Sequence, residues 1–533
     1  MFPRLRGRLR WVALGGAVCV VAAGAAVAIL LTSQPGDVSH PDVEFTDTQP
    51  STPGTTQREP KATEHPMDDH FAWPEYGYTK QRTRYLPLDT PLRPPFVAQW
   101  RVTGSTLIEF PPVLCKRSLY LEKNNGALYK ISRLTGRVRW KSKIGYLAAS
   151  SPACAGSSVY AVVLERGKGI RAGRVIALDT KNGRVRWSRK LPSRAESSPL
   201  VANGRVYFGT EDGTVYALQA RDGAVRWRYK ADGAVKGGLA LDQGRLFFGD
   251  YGGRMHAIRQ RDGSQIWETS SAGTAFGLRA GNFYGTPAVA YGRVYIGSLD
   301  GFVYSFAASS GKLAWRHKTG SYVYSSPAVA SVAGVGPTVY IGSYDGRLYA
   351  FDARSGSVRW AHNAGGKISG APVVIGDLVF YSNLSRRSSA ALGAVTGKLV
   401  WSTGRGAFNP VISDGRRLYL VGYSSLFMIS PPAQARRDER ARDRLAGAAG
   451  AGAARAKRKA DKRRAQAVRS HKRKVARRVA ARRAAVRRNA RLRRQHREIC
   501  FKSHGRTVCR IPRPLVCVKH HNGRTVCRPR KQR

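Results

Sequence analysis

SSPLVANGRVYFGTEDGTVYALQARDGAVRWRY, Ser197 to Tyr229, sets the fold of this chain. Ser-Ser-Pro leads into a short apolar run at Leu200 and Val201. Asn203-Gly204, Asp212-Gly213 and Asp222-Gly223 then break the stretch into short pieces rich in Val, Tyr and Phe. Asn-Gly and Asp-Gly supply the positive φ that tight hairpin turns require. Three turns in about 40 residues make four antiparallel strands, the size of one propeller blade. The second turn recurs at Asn125-Gly126, Gly252-Gly253, Asp300-Gly301 and Asp345-Gly346, so turn chemistry, not metal ligation, accounts for its acids.

The unit repeats on either side. Trp100, Trp140, Trp187, Trp227, Trp267, Trp315, Trp360 and Trp401 follow one another at gaps of 40 to 48 residues. All but the first close a phrase such as KNGRVRW, SSGKLAW or VTGKLVW. These are read as structural wedges packing on the next blade. Seven full units run from about 108 to 405. FNPVISDGRRLYLVGYSSLFMIS (Phe408–Ser430) supplies three further strands without a tryptophan strand, and FVAQWRVTG (Phe96–Gly104) supplies a tryptophan strand with nothing before it. The two fragments are expected to complete one another, closing an eight-bladed all-β ring over 96–430 that leaves no bare edge.

IALDTKNGRVRW (Ile176–Trp187) and YAFDARSGSVRW (Tyr349–Trp360) resemble the signature of the pyrroloquinoline-quinone (PQQ) repeat, and WPEYGYTKQRTRY (Trp73–Tyr85) resembles the segment that opens many such propellers. The resemblance implies a ring with an opening segment, 67–95, packed on it. It leaves function open, because the family includes quinoprotein dehydrogenases, the assembly factor BamB and sensor domains. Quinoprotein dehydrogenases use PQQ and calcium, with an adjacent cysteine pair against the quinone. No two cysteines are adjacent here, so no cofactor and no catalytic or metal residues are expected. Cys115 and Cys154 occupy similar places in neighbouring units. An inter-blade disulfide and two buried thiols are equally compatible with that placement.

The chain opens with Arg4, Arg6, Arg8 and Arg10, followed by an uncharged apolar run from Trp11 to Leu31. As a helix the run measures about 30 Å, enough for a bilayer. Its basic flank places the N-terminus in the cytoplasm and the propeller outside. Residues 1–32 are therefore expected to form a stub and signal anchor, with a cleaved signal peptide as the rival. Residues 33–66, rich in Pro, Thr and Ser, read as a disordered linker standing the ring off the membrane.

The whole chain carries +58. Its last hundred residues hold 36 Lys and Arg against 5 acids, or +31. Residues 431–498 read as a basic, partly helical tail with a hinge at Gly447, Gly450 and Gly452 and a thin valine stripe at Val468, Val475, Val479 and Val486. Arg463, Arg464, Lys472, Arg473, Lys474, Arg477, Arg478, Arg482, Arg483, Arg487 and Arg488 are its expected polyanion-binding set. Outside a membrane the partner would be an anionic envelope polymer or an acidic protein; inside a cell it would be nucleic acid. Residues 499–533 duplicate one phrase, CFKSHGRTVCR and CVKHHNGRTVCR. Hairpin turns would set Cys500 opposite Cys509 and Cys517 opposite Cys527 for disulfides, with zinc binding as the rival.

In a propeller the inter-blade loops share a face with the second-to-third-strand hairpins. Arg171, Lys236, Phe276, Arg279, Tyr284, Tyr322 and Tyr324 are expected there, as an aromatic and cationic funnel for an anionic or glycan partner. The expected function is a membrane-anchored binding or scaffolding module without catalysis. The alternatives are a PQQ-dependent oxidoreductase and a nucleic-acid-binding protein.

Overall fold

The structure is a computed structural model describing residues 36–47, 71–167, 170–272, 281–495, 499–510, 515–519 and 525–529. The expected membrane span, Phe276 and Arg279 lie outside the described residues. Among the described residues, no helix is long and apolar enough to cross a membrane.

Eight sheets of four antiparallel strands form the ring. Blade 1 runs from Val113 to Lys143, blade 2 from Ala153 to Leu191, blade 3 from Leu200 to Lys230 and blade 4 from Ala240 to Ser270. Blade 5 spans Ala288 to Lys318, blade 6 Ala328 to Asn363 and blade 7 Val373 to Thr403. Blade 8 takes three strands between Val411 and Ser430 and its fourth, outer strand from Val97–Val102. Met428 faces Trp100 in that seam, so the expected closure is the one observed.

The repeat signature has a mechanical meaning. Every repeat tryptophan but Trp401 lies on the glycine of the next blade's last turn: a Cβ on Gly223 would come within 2.6 Å of the Trp187 ring, and one on Gly356 within 2.6 Å of Trp315. The indole N–H then donates to a backbone carbonyl of that same blade, from Trp187 to Ala220 O at 2.9 Å and from Trp315 to Ala353 O at 3.0 Å. Only glycine fits beneath the ring, and its φ (+77° at Gly356) suits it to the turn as well. The signature aspartate caps the turn. Asp352 Oδ1 accepts from the N–H groups of Arg354 and Ser355. At the seam there is no such turn to meet Trp401, because the chain leaves blade 8 before its outer strand; Phe96 packs edge-on against the indole instead, 5.4 Å between centroids.

The opening segment threads the ring's channel. Ala72–Trp73 adds to the innermost strand of blade 1 and Tyr85–Leu86 to that of blade 7. Between them Pro74, Lys80, Gln81, Thr83 and Arg84 each offer a carbonyl to an inner strand, at Cys154, Leu241, Val289, Val329 and Val374. Val201 of blade 3 donates to Glu75 Oε2 instead. Arg82 is wholly buried and paired with Glu75 at 3.8 Å. Burial lowers its pKa to about 10 against the pull of that carboxylate. One end of the channel is thereby plugged.

Two expectations need correction. The supposed disordered linker is docked from Gly36 to Asp47. Val38 and Ser39 pair with Arg316 and Trp315 on the outer edge of blade 5. Phe45 stacks on Tyr291, with centroids 5.7 Å apart. Glu44 receives the Ser309 N–H, and Arg293 donates to Glu44 O at 2.7 Å. Apolar and acidic residues scattered among prolines found an unpaired strand edge to complete, which composition alone does not reveal. Nor does the expected Gly-Ala hinge break the tail: one helix runs from Pro432 to Gln495. Each glycine costs a helix about 1 kcal/mol, but the surrounding alanines are the best helix formers. The start of the helix is also pinned, because Asp438, buried, takes two bonds from Arg417.

The chain divides into two units, 1–442 and 443–533. Cys115 and Cys154, left open between thiols and a crosslink, form a disulfide between blades 1 and 2 with their Cα atoms 6.6 Å apart. In the second unit, Ile499–Ser503 pairs with Arg506–Arg510 around His504-Gly505, both at positive φ, and sets Cys500 opposite Cys509. Leu515–Lys519 pairs with Thr525–Pro529, setting Cys517 opposite Cys527.

The channel mouth and the basic helix

Opposite the plug, the channel opens among the loops that enter the innermost strands. A chain of hydrogen bonds belts the wall there. Gly238 N donates to Thr286 Oγ1, Thr286 N to Ser326 Oγ, and Asn409 Nδ2 to Glu109 O. These small polar residues hold the loops in register. Around the ring, the residues two places earlier in each loop are Glu109, Ala149, Glu196, Lys236, Tyr284, Tyr324, Ser369 and Ala407. Six of them, Glu109, Glu196, Lys236, Tyr284, Tyr324 and Ser369, line the mouth, with Tyr76 of the plug, Phe110, Phe408 and Asn409.

The mouth is built of tyrosine. Tyr251 meets Tyr284 edge-on at 6.3 Å, Tyr284 meets Tyr324 at 5.4 Å, and Tyr324 meets Tyr344 at 4.7 Å. Burial raises the Tyr284 and Tyr324 phenols above their ordinary pKa, so they stay protonated donors near neutral pH. Tyr322, 55 % exposed, packs on Tyr324 from outside.

The expected cationic character is not found among the described lining. Lys236 is held by Glu196 at 3.4 Å and Glu211 at 3.2 Å, with its ammonium over the Tyr251 ring. Glu109 bonds Asn124 at 3.2 Å. Burial raises the pKa of Glu109, and also that of Glu196 against the opposing pull of Lys236. Glu196 and Glu211 thus flank the one ammonium at the mouth among the described residues. Arg171 lies near the tip of the blade 2 hairpin, in register with Arg166. Of the expected face residues, Lys236, Tyr284 and Tyr324 come together. Glu109, Glu196 and Asn409 were missed, though aligning the loops two residues before the small belt position would have exposed both acids.

PQQ carries three carboxylates, and the described lining offers it no unengaged cation beside Glu109 and Glu196. Nor do three or more His, Cys, Asp or Glu converge as a metal cluster among the described residues. The residues present do not fit that cofactor.

The second charged feature is the helix. Its eleven expected polyanion contacts from Arg463 to Arg488 are all exposed, and no acid occurs from 462 to 497. Basic pairs recur every five residues: Lys472-Arg473, Arg477-Arg478, Arg482-Arg483 and Arg487-Arg488. Five residues turn a helix by about 140° and advance it about 7.5 Å, so the charge winds round all sides. The valine stripe is likewise exposed, from 44 % at Val475 to 63 % at Val486.

A closed ring of eight four-stranded blades, wedged by indoles that lie on a neighbouring blade's glycine at all but the seam, defines the PQQ-repeat class of propellers. The chain belongs to that family: a family model described as outer membrane protein assembly factor BamB matches residues 124–236 and 230–436. Among solved structures, BamB from Moraxella catarrhalis is similar at 19 % identity over 63 % of this chain and 99 % of that one, with a TM-score of 0.50. Quinohemoprotein alcohol dehydrogenases from Pseudomonas putida HK5 and Comamonas testosteroni are similar at 15 % and 14 % identity, each over 67 % of this chain and 80 % of its own, with TM-scores of 0.56 and 0.54. Identities this low show a shared fold. No curated protein matches the sequence.

Proposed function

We propose that this protein is a membrane-anchored, non-enzymatic binding platform of the cell envelope. The ring holds a partner at the channel mouth, and the helix binds an anionic polymer. The observation that carries this reading is the division of charge between the two features. At the mouth the described cation is already paired and the surroundings are phenols and carboxylates; along the helix every cation of the 463–488 set faces solvent. Aromatic faces beside hydroxyl and carboxyl acceptors suit a neutral or amino-bearing glycan better than an anion. An acid-free, all-round cationic rod suits a flexible phosphate or carboxylate polymer, bound by counterion release. The apolar run at 11–31 supports the anchor, with the ring outside.

Calorimetry on the full chain and on a chain ending at Pro431, against neutral oligosaccharides and against polyphosphate, tests the assignment. Both chains should bind the same oligosaccharide, and Tyr324→Ala should weaken it about tenfold. Only the full chain should bind polyphosphate. Polyphosphate binding by the ring alone, lost with Lys236→Ala, would reverse the assignment.

A further inference from the structure

The docked strap, Gly36 to Asp47, fixes where the chain leaves the ring. Gly36 O accepts from Arg316 Nε at 2.9 Å, and Asp37 Oδ1 accepts from Lys318 N at 2.7 Å. Lys318 is the last residue of the outer strand of blade 5, and the loop that follows it carries the exposed Tyr322 on the channel-mouth face. From there the strap runs down the seam between blades 5 and 6, where Ser39 Oγ donates to Ser355 O, to the far face at Tyr291 and Ser309. The upstream end is therefore held at one point of the rim, beside the mouth.

Only residues 32–35 separate Gly36 from the end of the apolar run at Leu31. Fully extended, the five steps from Leu31 to Gly36 reach about 17 Å. A flexible stalk of some thirty residues would let the ring tumble; a tether this short does not. We propose that the rim of blades 5 and 6 is a lipid-facing surface, so that the ring lies against the bilayer by this edge. The inference rests on the anchor reading above. The chemistry of the rim fits the interface. Tyr322 is an exposed, amphipathic aromatic of the kind that sits at headgroup depth. Arg316 and Lys318 flank the strap's origin, and Arg347 and Lys367 are exposed on the neighbouring blade. These cations suit anionic headgroups.

Tyr146 provides an internal control. It is 49 % exposed on the same face, but in the loop between blades 1 and 2, diametrically across the ring from the loop of Tyr322. A photo-crosslinking amino acid placed at either position, in the full chain inserted into phosphatidylcholine–phosphatidylglycerol vesicles, reads the orientation. Lipid adducts should form at Tyr322 at least about tenfold over Tyr146. Undocking the strap's upstream end with Asp37→Ala and Val38→Pro should bring that ratio towards one while the ring's near-ultraviolet circular dichroism is unchanged. Equal adducts at the two sites, in protein that floats with vesicles after carbonate washing, would overturn the orientation alone. Failure to float would overturn the anchor and the orientation together.

Discussion

Trp315 and Gly356 show how much rests on single residues. The indole is fully buried between blades 5 and 6, with its N–H satisfied. Trp315→Ala should cost about 3–5 kcal/mol, the usual loss for a large buried aromatic. Gly356→Ala acts on the other half of the wedge, forcing both a left-handed backbone and a Cβ against the ring; a cost of about 1–3 kcal/mol is expected. Denaturant melts of the two variants and their double mutant should be clearly non-additive, because the pair is one contact. Glu122 makes a prediction of the opposite sign. It is 4 % exposed, takes one bond from Ser150 Oγ at 3.3 Å, and its Oε1 has no partner. Burial drives its pKa well above 4.5. The folded state therefore keeps a proton that the unfolded chain releases near pH 4.5, and stability falls as pH rises from there through the raised folded value. Glu122→Gln should stabilise the ring by about 1–3 kcal/mol at pH 8 and flatten this slope, read as melting temperature against pH. The wedge was legible in the sequence because it recurs in every repeat. Glu122 was not: it sits in one strand of one repeat, and its burial depends on a serine 28 residues away.

At the scale of elements, the hairpin turns, the glycine at each wedge and the closing strand were all readable, because each is a local pattern of turn residues and alternating apolar residues. The strap and the plug were harder. Both are short irregular segments whose backbone bonds go to strands hundreds of residues distant, as when Arg84 O meets Val374 N. Nothing local marks such partners. The helix was readable in composition but not in continuity, since its glycines looked like a break. The inter-blade disulfide lay between the two. Its cysteines occupied matching places in adjacent repeats, but pairing needed coordinates. The bond closes a loop of 39 residues in sequence separation. Replacing both cysteines by serine should cost up to about 4 kcal/mol by loop-closure entropy, and a reductant should lower the melting temperature of the parent but not of that variant.

Across the whole molecule, net charge is unevenly shared, and the two units should answer differently to salt. Binding of polyphosphate to the full chain should fall steeply with ionic strength; with six to ten phosphate contacts, affinity drops about 10³–10⁵-fold between 50 and 200 mM salt if the polymer behaves as a duplex does. Binding at the channel mouth, where the described charges are already paired, should change little over the same range. Titration calorimetry at four salt concentrations separates the two.

The seam of blade 8 also imposes a timetable. Its outer strand, Val97–Val102, is among the first parts of the ring to be made, and its partner, Leu426–Ser430, the last. At about 5–20 residues per second, the 324 residues from Val102 to Leu426 occupy a ribosome for roughly 16–65 s. Throughout that interval the early strand has no neighbour, and the nascent chain cannot complete its circle. Clasping must therefore wait until synthesis has passed the final leaf.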